Sequence, residues 1–478
     1  MTGNERDVLD LFEQSATHFE FDNSPARTAP ELVDDGRRLA TWLGTQGFAP
    51  GDRVAIHLHN TVGYLQLLLA CAAGGFVAVS VNTRYSESEV AELIERSGAR
   101  TVEATADEAT TDAAMPAWAE SEPIERVCRR DDPFVVFTTS GTTSRPKMVL
   151  HRQHSIADHA TQAAVGVGYR RDDTVMAVMP LCGIFGLSSL LIAVAAGCRV
   201  IITDYDLERT AEQIAAGPVT CLNGTDDLFH RLLDHGADLS SIRLAGYARF
   251  NTSLDGIVER ADAAGATLTG LYGMSEVQAM LTLRDPTGDA IQRTRVGGTF
   301  TSEHMEYRIV DGELQLRGPS LFAGYLAEGG EHVDVALTAA NHDDGWFLTG
   351  DLALAEDERT FEYVARIGDV LRLGGFLVSP ADIEAALMED QLVDAAQVVA
   401  IDQPTGARPV GFVVLADGAR VGFDPDAAIE RCRERLARYK VPVRVLVVDD
   451  FPTTDGPNGI KIQKTKLREM AVQALADG

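Results

Sequence analysis

Residues 134–151 read FVVFTTSGTTSRPKMVLH and pass from four apolar side chains into hydroxyls, glycine, proline and lysine. Such a change is typical of a buried strand that ends in a polar, flexible loop. Hydroxyl donors around a glycine are suited to wrapping an anion such as a polyphosphate. The candidate anion-binding residues of this loop are Thr139, Ser140, Gly141, Thr142, Thr143 and Ser144.

Lys147, at the end of this loop, is unusual for the chain. The sequence contains only five lysines beside 37 arginines, and Lys147 is the only lysine before Lys440. An isolated lysine among arginines favours a site that needs a slim, mobile point charge. The phosphate loop of NTPases is excluded, because no glycine precedes Lys147 and Met148 stands where that motif has a hydroxyl. From these residues alone, a plain polar surface loop is the remaining alternative.

The same stretch resembles the signature Thr-Ser-Gly-Thr-Thr-Gly-x-Pro-Lys-Gly of the adenylate-forming (ANL) superfamily. That superfamily includes acyl-CoA synthetases, carrier-protein adenylation domains and luciferases. Two positions depart from the signature, since Ser144 and Met148 replace glycines. The resemblance implies that the loop and Lys147 bind the phosphates of ATP.

Length and charge limit the classes of function. A chain of 478 residues exceeds what one hydrophobic core usually serves, so two or more domains are expected. A hydrophobic content of 45% with 24% charged residues is typical of a globular protein. The net charge of −29 argues against nucleic acid or an anionic membrane as a partner.

Cysteine usage and hydropathy predict a cytoplasmic protein. Six scattered cysteines include no Cys-x-x-Cys motif, which indicates reduced thiols. The acidic N-terminus lacks the apolar segment of a signal peptide. Residues 175–202 are long and apolar enough to span a membrane. Because proline, glycines and an arginine interrupt them, a buried strand–loop–helix–strand unit is favoured.

The order of elements predicts a doubly covered sheet. A helix over residues 30–43 has Pro30 in its first turn and Gly44 just past its end. Further helices at 62–73 and 87–97 alternate with strands, which implies a largely parallel sheet. Glycine-rich β segments begin at about residue 297 and include a hairpin turn at Asp311-Gly312. A last α+β portion starts near residue 366.

A second polar cluster, GLYGMSEV at residues 270–277, follows a predicted strand. Ligands of open parallel sheets bind beyond the carboxyl ends of strands, so Glu276 is expected to face the same crevice as Lys147. An exposed glutamate after an ordinary turn is the alternative. The cluster resembles the superfamily's Tyr-Gly-x-Thr-Glu, which implies that Tyr272 stacks on adenine and Glu276 holds a bridging Mg²⁺. The same resemblance adds Gly273 and Ser275 to the nucleotide-binding residues and Met274 to the acid pocket.

Two further stretches match the superfamily downstream. DGWFLTGDLA, residues 344–353, resembles its Trp-x-x-Thr-Gly-Asp core, so Asp351 is expected to accept hydrogen bonds from both ribose hydroxyls. RIGDVLRLGGFLVSPADIE, residues 366–384, places Arg366 near the ribose and α-phosphate. Gly368 stands near the superfamily's interdomain hinge, and glycine permits the dihedral change that a hinge needs. The loop expected to approach the thiol substrate consists of Gly374, Gly375 and Phe376.

The last motif, NGIKIQKTKLRE at residues 458–469, contains three of the five lysines. It resembles the superfamily's terminal Lys-Ile-Gln-Lys-x-x-Leu-Arg. The resemblance implies that Lys461 bridges the attacking carboxylate and the α-phosphate, neutralising charge in the transition state. A solvated basic helix is the alternative, against which stands the scarcity of lysine in the chain.

The acid-binding pocket departs from the superfamily. Its Pro-x-x-His-x-x-Gly segment appears here as PLCGIFG, residues 180–186, with Gly183 at the histidine position. Ile184 and Phe185 follow in the expected pocket lining. The usual Gly-Gly-Ala-Pro strand end appears as AGYARF. Its residues expected beside adenine and the acid are Gly246, Tyr247 and Ala248.

Together the motifs predict an α/β protein with a large N-terminal domain and a small, mobile α+β C-terminal domain. The N-terminal domain, residues 1–366, is expected to pack mixed and parallel sheets with helices and a β subdomain; residues 367–478 form the C-terminal domain. The implied reaction activates an acid with MgATP to an acyl-adenylate and pyrophosphate, then transfers the acyl group to CoA. An amine acceptor, a carrier protein, an unusual small acid such as nitrite, and a homodimer are left open.

Overall fold

The computed structural model describes most of the chain. The described residues are 6–22, 24–102, 117–139, 146–217, 219–250, 256–330, 332–368, 371–373, 376–401, 403, 407–416, 418–419, 422–456 and 459–476. The predicted loop residues Ser140–Ser144 and the predicted thiol-loop residues Gly374 and Gly375 lie outside them.

Helices occur throughout the described part of the chain. The α-helices are Val8–Glu13, Ala29–Thr45, Val62–Gly74, Glu87–Ser97, Gln153–Val167, Ile184–Ala196, Leu207–Ala216, Asp226–His235, Ile257–Ala263, Ala290–Thr294, Val335–Ala340, Pro380–Met388, Pro425–Arg435 and Lys464–Ala476. Short 3₁₀ turns cover Ala117–Glu120 and Arg438–Lys440.

The strands are numbered in chain order. Those of the first half are β1 His18–Phe21, β2 Ser24–Thr28, β3 Arg53–Ile56, β4 Val77–Ser80, β5 Arg100–Thr101, β6 Pro133–Thr138, β7 Met148–Arg152, β8 Thr174–Ala177, β9 Arg199–Ile202, β10 Cys221–Leu222, β11 Gly224–Thr225 and β12 Ala245–Ala248. Those of the second half are β13 Leu268–Met274, β14 Gln278–Leu283, β15 Gly297–Phe300, β16 Glu306–Val310, β17 Glu313–Arg317, β18 Gly324–Tyr325, β19 His342–Asp343, β20 Trp346–Ala355, β21 Thr360–Arg366, β22 Leu371–Leu373, β23 Phe376–Val378, β24 Val393–Ile401, β25 Arg408–Leu415, β26 Arg444–Val447, β27 Thr453–Gly456 and β28 Gly459–Ile462.

Three sheets build the part of the chain before residue 367. One has five strands in the order β10-β8-β9-β1-β2, and a second has six in the order β18-β7-β6-β4-β3-β5. Parallel pairs dominate the first, and β5, β3, β4 and β6 form a parallel run on one side of the second. The third sheet runs β11-β12-β13-β14-β15-β21-β20-β17-β16, with β19 paired to β20. The predicted parallel sheet with covering helices and the later β-rich region are therefore confirmed.

The stretch 175–202 folds as predicted. It contains β8, a loop, the helix Ile184–Ala196 and β9, and almost every side chain of that helix is buried. None of the helices in the described ranges combines the length and apolarity that crossing a bilayer requires. The apolar composition of the stretch therefore reflects burial inside the protein.

Two local predictions have different outcomes. The turn at Asp311-Gly312 joins β16 to β17, and both residues have positive φ (51° and 85°), as a two-residue hairpin of this kind requires. The predicted stop of the second helix at Gly44 is wrong, because the helix continues to Thr45. One helical glycine costs only about 1 kcal/mol, and the chain turns instead at Gly47, where φ is 82°.

The described hydrophobic core separates along the chain. Three core clusters consist of residues up to Phe361, whereas two others consist of residues from Leu371 onward. The later clusters pack helices Pro380–Met388, Pro425–Arg435 and Lys464–Ala476 around a sheet of β24, β25 and β26. A domain boundary near residue 366 stays a prediction that this division favours.

Candidate active site

The predicted anion-binding loop connects two paired antiparallel strands, β6 and β7. Phe134 to Phe137 of β6 are at most 1% exposed, which confirms the predicted buried strand. Strands β6 and β7 pair antiparallel up to Thr138 opposite Met148. Beyond them the Thr139 amide donates to the Lys147 carbonyl oxygen at 3.0 Å, and the Lys147 amide donates to Thr139 Oγ1 at 3.2 Å. These bonds fix the base of the loop, so Lys147 has a defined backbone position.

Lys147, Tyr325 and Glu276 form one contact series. The ammonium of Lys147 lies 4.5 Å from the centroid of the Tyr325 ring. The Tyr325 hydroxyl donates to Glu276 Oε1 at 3.0 Å. The predicted proximity of Lys147 and Glu276 is therefore present, with a tyrosine between them that the sequence reasoning left without a role.

The backbone around Glu276 is tightly determined. Glu276 lies between β13 and β14, and its carbonyl oxygen accepts the Phe322 amide at 2.8 Å. A Cβ at Gly273 would stand 2.6 Å from the Ala279 Cα, so only glycine fits there. Gln278 has a φ of 69°, an unfavourable value for a residue with a side chain. Its Nε2 donates to the Ser155 carbonyl oxygen at 2.7 Å, which helps to hold this conformation.

Burial and charge act oppositely on Glu276. Its residue is only 5% exposed, and this burial raises the pKa of the carboxyl. The Tyr325 hydroxyl and the positive charges of Arg366 and Lys147 lower that pKa in turn. The site therefore places the Glu276 carboxylate near the positive charges of Arg366 and Lys147. A carboxylate beside cations also suits the binding of a metal-bound polyphosphate.

Asp351 and Arg366 lie side by side on β20 and β21. The two residues are directly opposite in the antiparallel register, and an Arg366 guanidinium nitrogen lies 2.6 Å from Asp351 Oδ1. The Tyr272 hydroxyl donates to Asp351 Oδ2 at 2.6 Å. The predicted ribose and adenine residues are thus already joined by hydrogen bonds. Arg366 also lowers the pKa of Glu276, so this group adjoins the Lys147–Tyr325–Glu276 series.

Tyr272 is held by aromatic neighbours. It is 6% exposed, its ring meets the Phe361 ring edge-on at 5.3 Å, and the Tyr363 ring is tilted against it at 5.9 Å. Burial raises the pKa of its phenol well above the ordinary value, so the hydroxyl donates a hydrogen bond and does not ionise. Stacking of this ring on adenine stays a prediction.

The predicted acid-pocket residues lie on two neighbouring elements. Gly183 is the N-cap of the helix Ile184–Ala196, and Ile184 and Phe185 are buried in its first turn. The segment before the helix is fixed from both sides at Leu181. Its amide donates to Asn60 Oδ1 at 2.9 Å, and its carbonyl oxygen accepts the Tyr64 hydroxyl at 2.8 Å.

The predicted residues of β12, Gly246, Tyr247 and Ala248, have different surroundings. The Gly246 amide donates to Asn223 Oδ1 at 3.0 Å, and a Cβ at Gly246 would meet that oxygen at 2.8 Å. The adjacent Tyr247 side chain points into the core, where its hydroxyl donates to the Thr294 carbonyl oxygen at 3.1 Å. Ala248, the last residue of β12, is 9% exposed. Any contact of Tyr247 with a ligand would therefore involve its backbone.

Lys461 and the predicted hinge lie in the last portion. Lys461 is on β28, opposite Thr454 of β27, and not on the basic helix that was the alternative. Its side chain and that of Phe376 lie outside the described atoms. Gly368 has no neighbouring atom within 4 Å of an added Cβ. Its carbonyl oxygen accepts a hydrogen bond from Arg468 of the C-terminal helix at 3.3 Å.

Two buried histidines support the site, and the sequence indicated no ligand or partner for them. His151 Nε2 donates to the Ser275 carbonyl oxygen at 2.7 Å, and His159 Nε2 donates to the Ala279 carbonyl oxygen at 2.9 Å. Burial lowers the pKa of each imidazole to about 4, so both are neutral near pH 7. Their only sequence signal was apolar neighbours, which do not reveal a partner 120 residues away.

The motif residues that meet in this structure belong to regions that match known family models. The model of the AMP-binding enzyme family matches residues 13–326, and that of the AMP-binding enzyme C-terminal domain matches residues 382–456. The chain belongs to the AMP-binding enzyme family and is an adenylate-forming ligase. The superfamily resemblance found in the motifs is thereby confirmed.

Curated relatives match over almost the whole chain. A methyl-dioxo-octahydroindenyl-propanoyl:CoA ligase of Mycobacterium tuberculosis is 33% identical, over 93% of this chain and 94% of its own. A feruloyl-CoA synthase of an Amycolatopsis species is 29% identical, over 90% of this chain and 91% of its own. A 2-succinylbenzoate–CoA ligase of a Geobacillus strain is 27% identical, over 90% and 91% respectively.

Solved structures confirm the predicted fold class. ATP-bound MatB from Rhodopseudomonas palustris has a TM-score of 0.84 at 23% identity, covering 98% of this chain and 99% of that one. The o-succinylbenzoate CoA synthetase of Bacillus subtilis, in complex with AMP, has a TM-score of 0.79 at 23% identity, covering 97% and 98%. Both share the large N-terminal and small C-terminal parts of this fold.

Proposed function

We propose that the protein is an ATP-dependent acid–CoA ligase that makes an acyl-adenylate and then a thioester. The observation that carries the proposal is the continuous group Lys147–Tyr325–Glu276 beside Arg366–Asp351–Tyr272. It brings together positive charge for a triphosphate, a carboxylate for the ribose hydroxyls and an aromatic ring for adenine. The curated relatives named above, each of them a CoA ligase or synthase by name, support CoA as acceptor.

Nucleotide binding is assigned to residues of the motif regions described above. The loop at 140–144 and Lys147 bind the phosphates, and Asp351 with Arg366 binds the ribose. Asp351 offers a buried carboxylate, the group suited to accepting hydrogen bonds from two ribose hydroxyls, and the Tyr272 hydroxyl and the Arg366 guanidinium hold it in place. Tyr272, held at its hydroxyl by Asp351, presents its ring to adenine. The remaining nucleotide contacts are assigned to Thr139, Gly246, Gly273 and Ser275.

The residues at Glu276 fit a magnesium ion. Mg²⁺ uses one or two carboxylates together with phosphates and water. Among the described residues no group of three or more potential ligands forms a protein metal cage, whereas the Glu276 carboxylate is buried beside Lys147. A Mg²⁺ held by Glu276 and the phosphates would neutralise charge as pyrophosphate leaves. Glu276 and Lys147 then orient the leaving group between them.

The two half-reactions need different parts of the chain. In the first, the acid attacks the α-phosphate, with Lys461 neutralising the developing charge. In the second, the thiol of CoA attacks the adenylate and AMP leaves, with 374–376 approaching the thiol. Gly368 is assigned as the hinge between the two arrangements, and residues 367–478 as the moving domain. All six cysteines are free and buried, which supports a reducing, cytoplasmic setting where ATP and CoA are supplied.

The test is pyrophosphate release across a panel of acids, followed by addition of CoA or amines. We expect bulky aryl and cyclic acids to stimulate release, and AMP with an acyl-CoA to appear only when CoA is present. Acid-dependent pyrophosphate release with product formed only on amines would replace CoA by an amine acceptor. Release stimulated by nitrite alone would identify an unusual small acid as the substrate.

A further inference from the structure

Tyr325 is buried at the site, and none of the roles assigned above uses it. Its strand β18 pairs with β7, the strand that follows Lys147, with Tyr325 opposite Val149. The next amide, that of Leu326, donates to the Met148 carbonyl oxygen at 2.8 Å. Only 2% of Tyr325 is exposed. The ring therefore has a fixed position relative to the strand that carries the lysine.

Neighbouring residues leave the ring little freedom. The Phe322 ring meets it edge-on at 4.9 Å, and the Tyr325 amide donates to Thr338 Oγ1 at 3.0 Å. Gly324 has a φ of 142°, and a Cβ there would stand 2.5 Å from a Val333 methyl carbon. This close packing means that the residue preceding Tyr325 has to be glycine, and it keeps β18 against β7.

Two different groups of Tyr325 serve two different partners. The ring face attracts the Lys147 ammonium 4.5 Å away through its quadrupole, while the hydroxyl donates to Glu276 Oε1 at 3.0 Å. A lysine has a flexible four-carbon stem, so contact with a fixed ring restricts where its charge lies. The Tyr325 hydroxyl and the Glu276 backbone amide both donate to this carboxylate. A carboxylate has about four acceptor positions, which leaves room for a metal.

We propose that Tyr325 is a positioning residue that sets the separation of Lys147 and Glu276, so that both engage the same phosphate–metal group. The proposal rests on the roles proposed above for Lys147 and Glu276. Tyr325 itself touches neither phosphate nor metal and acts only through these two side chains. Its ring governs the lysine, and its hydroxyl governs the carboxylate, so the two effects are separable by substitution.

The test compares Tyr325→Phe with Tyr325→Leu in the full-length protein. Tyr325→Phe keeps the ring and loses the hydroxyl. We expect the Mg²⁺ concentration for half-maximal pyrophosphate release to rise about tenfold, with KM for ATP at saturating Mg²⁺ changed by less than about twofold. Tyr325→Leu also loses the ring, and we expect it to raise that KM by on the order of fivefold.

Tyr307→Phe is the matched control. The Tyr307 hydroxyl donates to the Thr360 carbonyl oxygen at 2.9 Å in the antiparallel sheet, and neither Lys147 nor Glu276 is its partner. We expect its Mg²⁺ dependence to equal that of the unsubstituted protein. Thermal unfolding of each variant shows whether it folds, and if Tyr325→Leu does not, Tyr325→Phe alone decides. A folded Tyr325→Phe with unchanged Mg²⁺ dependence overturns the proposal.

A parallel measurement on Glu276→Gln separates this proposal from the proposed function. If Glu276→Gln raises the Mg²⁺ requirement and Tyr325→Phe does not, only the positioning role is wrong. If Glu276→Gln itself leaves the Mg²⁺ requirement unchanged, the assigned metal role of Glu276 is wrong and the positioning role falls with it. A raised requirement in both variants supports the pair.

Discussion

The residues before residue 367 that are proposed to bind ATP and the lysine at 461 are held in very different ways. Glu276 and Asp351 are at most 5% exposed, and each accepts a hydrogen bond from a buried tyrosine. Lys461 lies on β28, which pairs only with β27 among the described strands. The lysine proposed to neutralise transient charge is thus on a small hairpin, while Glu276 and Asp351, which are proposed to act on ATP, belong to a large sheet region. We therefore assign ATP binding to the preorganised part before residue 367, and the catalytic lysine to the part after it, which moves.

The largest effect is expected from Lys461→Ala. Loss of one charge contact in the transition state should slow acid-dependent pyrophosphate release by roughly 10²–10³. ATP binding, measured by calorimetry, should stay close to that of the unsubstituted protein, because the binding residues lie on the other part. Lys466→Ala, on the exposed side of the following helix, is the control. An unchanged release rate in Lys461→Ala would show that the lysine is not catalytic.

Gly368→Pro sharpens the comparison at the junction of the two parts. Fixing φ should hinder the change of domain orientation, so thioester formation from preformed adenylate should slow by about tenfold or more. Pyrophosphate release should change much less, and single-turnover measurements separate the two steps. Gly368→Ala is the control, since a Cβ at this position meets no atom within 4 Å. Equal slowing of both steps in the proline variant contradicts the hinge.

The smallest effect concerns the stability of the part before residue 367. The sequence contains no histidine after His342, so histidine titration reports on that part alone. The pKa of His159 falls from its ordinary 6.5 to about 4 on burial. The unfolded chain therefore binds more protons between these values. This contribution to stability is complete above pH 6.5 and is lost as the pH falls toward 4, by about 3 kcal/mol at most.

His159→Gln isolates that contribution. The unfolding free energy of this variant, from urea titrations between pH 4 and 8, should fall less steeply with decreasing pH than that of the unsubstituted protein. The difference between the two curves removes the effect of buried carboxyls such as Asp158, whose raised pKa acts in the opposite direction. Parallel curves would mean that His159 binds a proton as readily in the folded protein as in the unfolded chain, so that burial does not lower its pKa.

Several structural features of this protein are determined by short stretches of its sequence. Three stretches could be predicted from their own residues: the apolar run at 134–137, the Asp311-Gly312 turn and the interrupted apolar stretch at 175–202. They could be predicted because strand burial and turn dihedrals depend on adjacent residues. The motif residues Lys147, Glu276 and Asp351 were named from sequence mainly because short stretches around them resemble the superfamily's signatures, which are also local patterns.

Only the tertiary structure decided which side chains complete the site. Tyr325 is 49 residues from Glu276, and His159 is 120 residues from Ala279, so no local pattern pairs them. The direction of Tyr247 into the core was likewise settled by packing against distant residues, since its hydroxyl donates to the Thr294 carbonyl oxygen. Sequence fixes which groups are present, whereas burial and long-range register decide which of them meet.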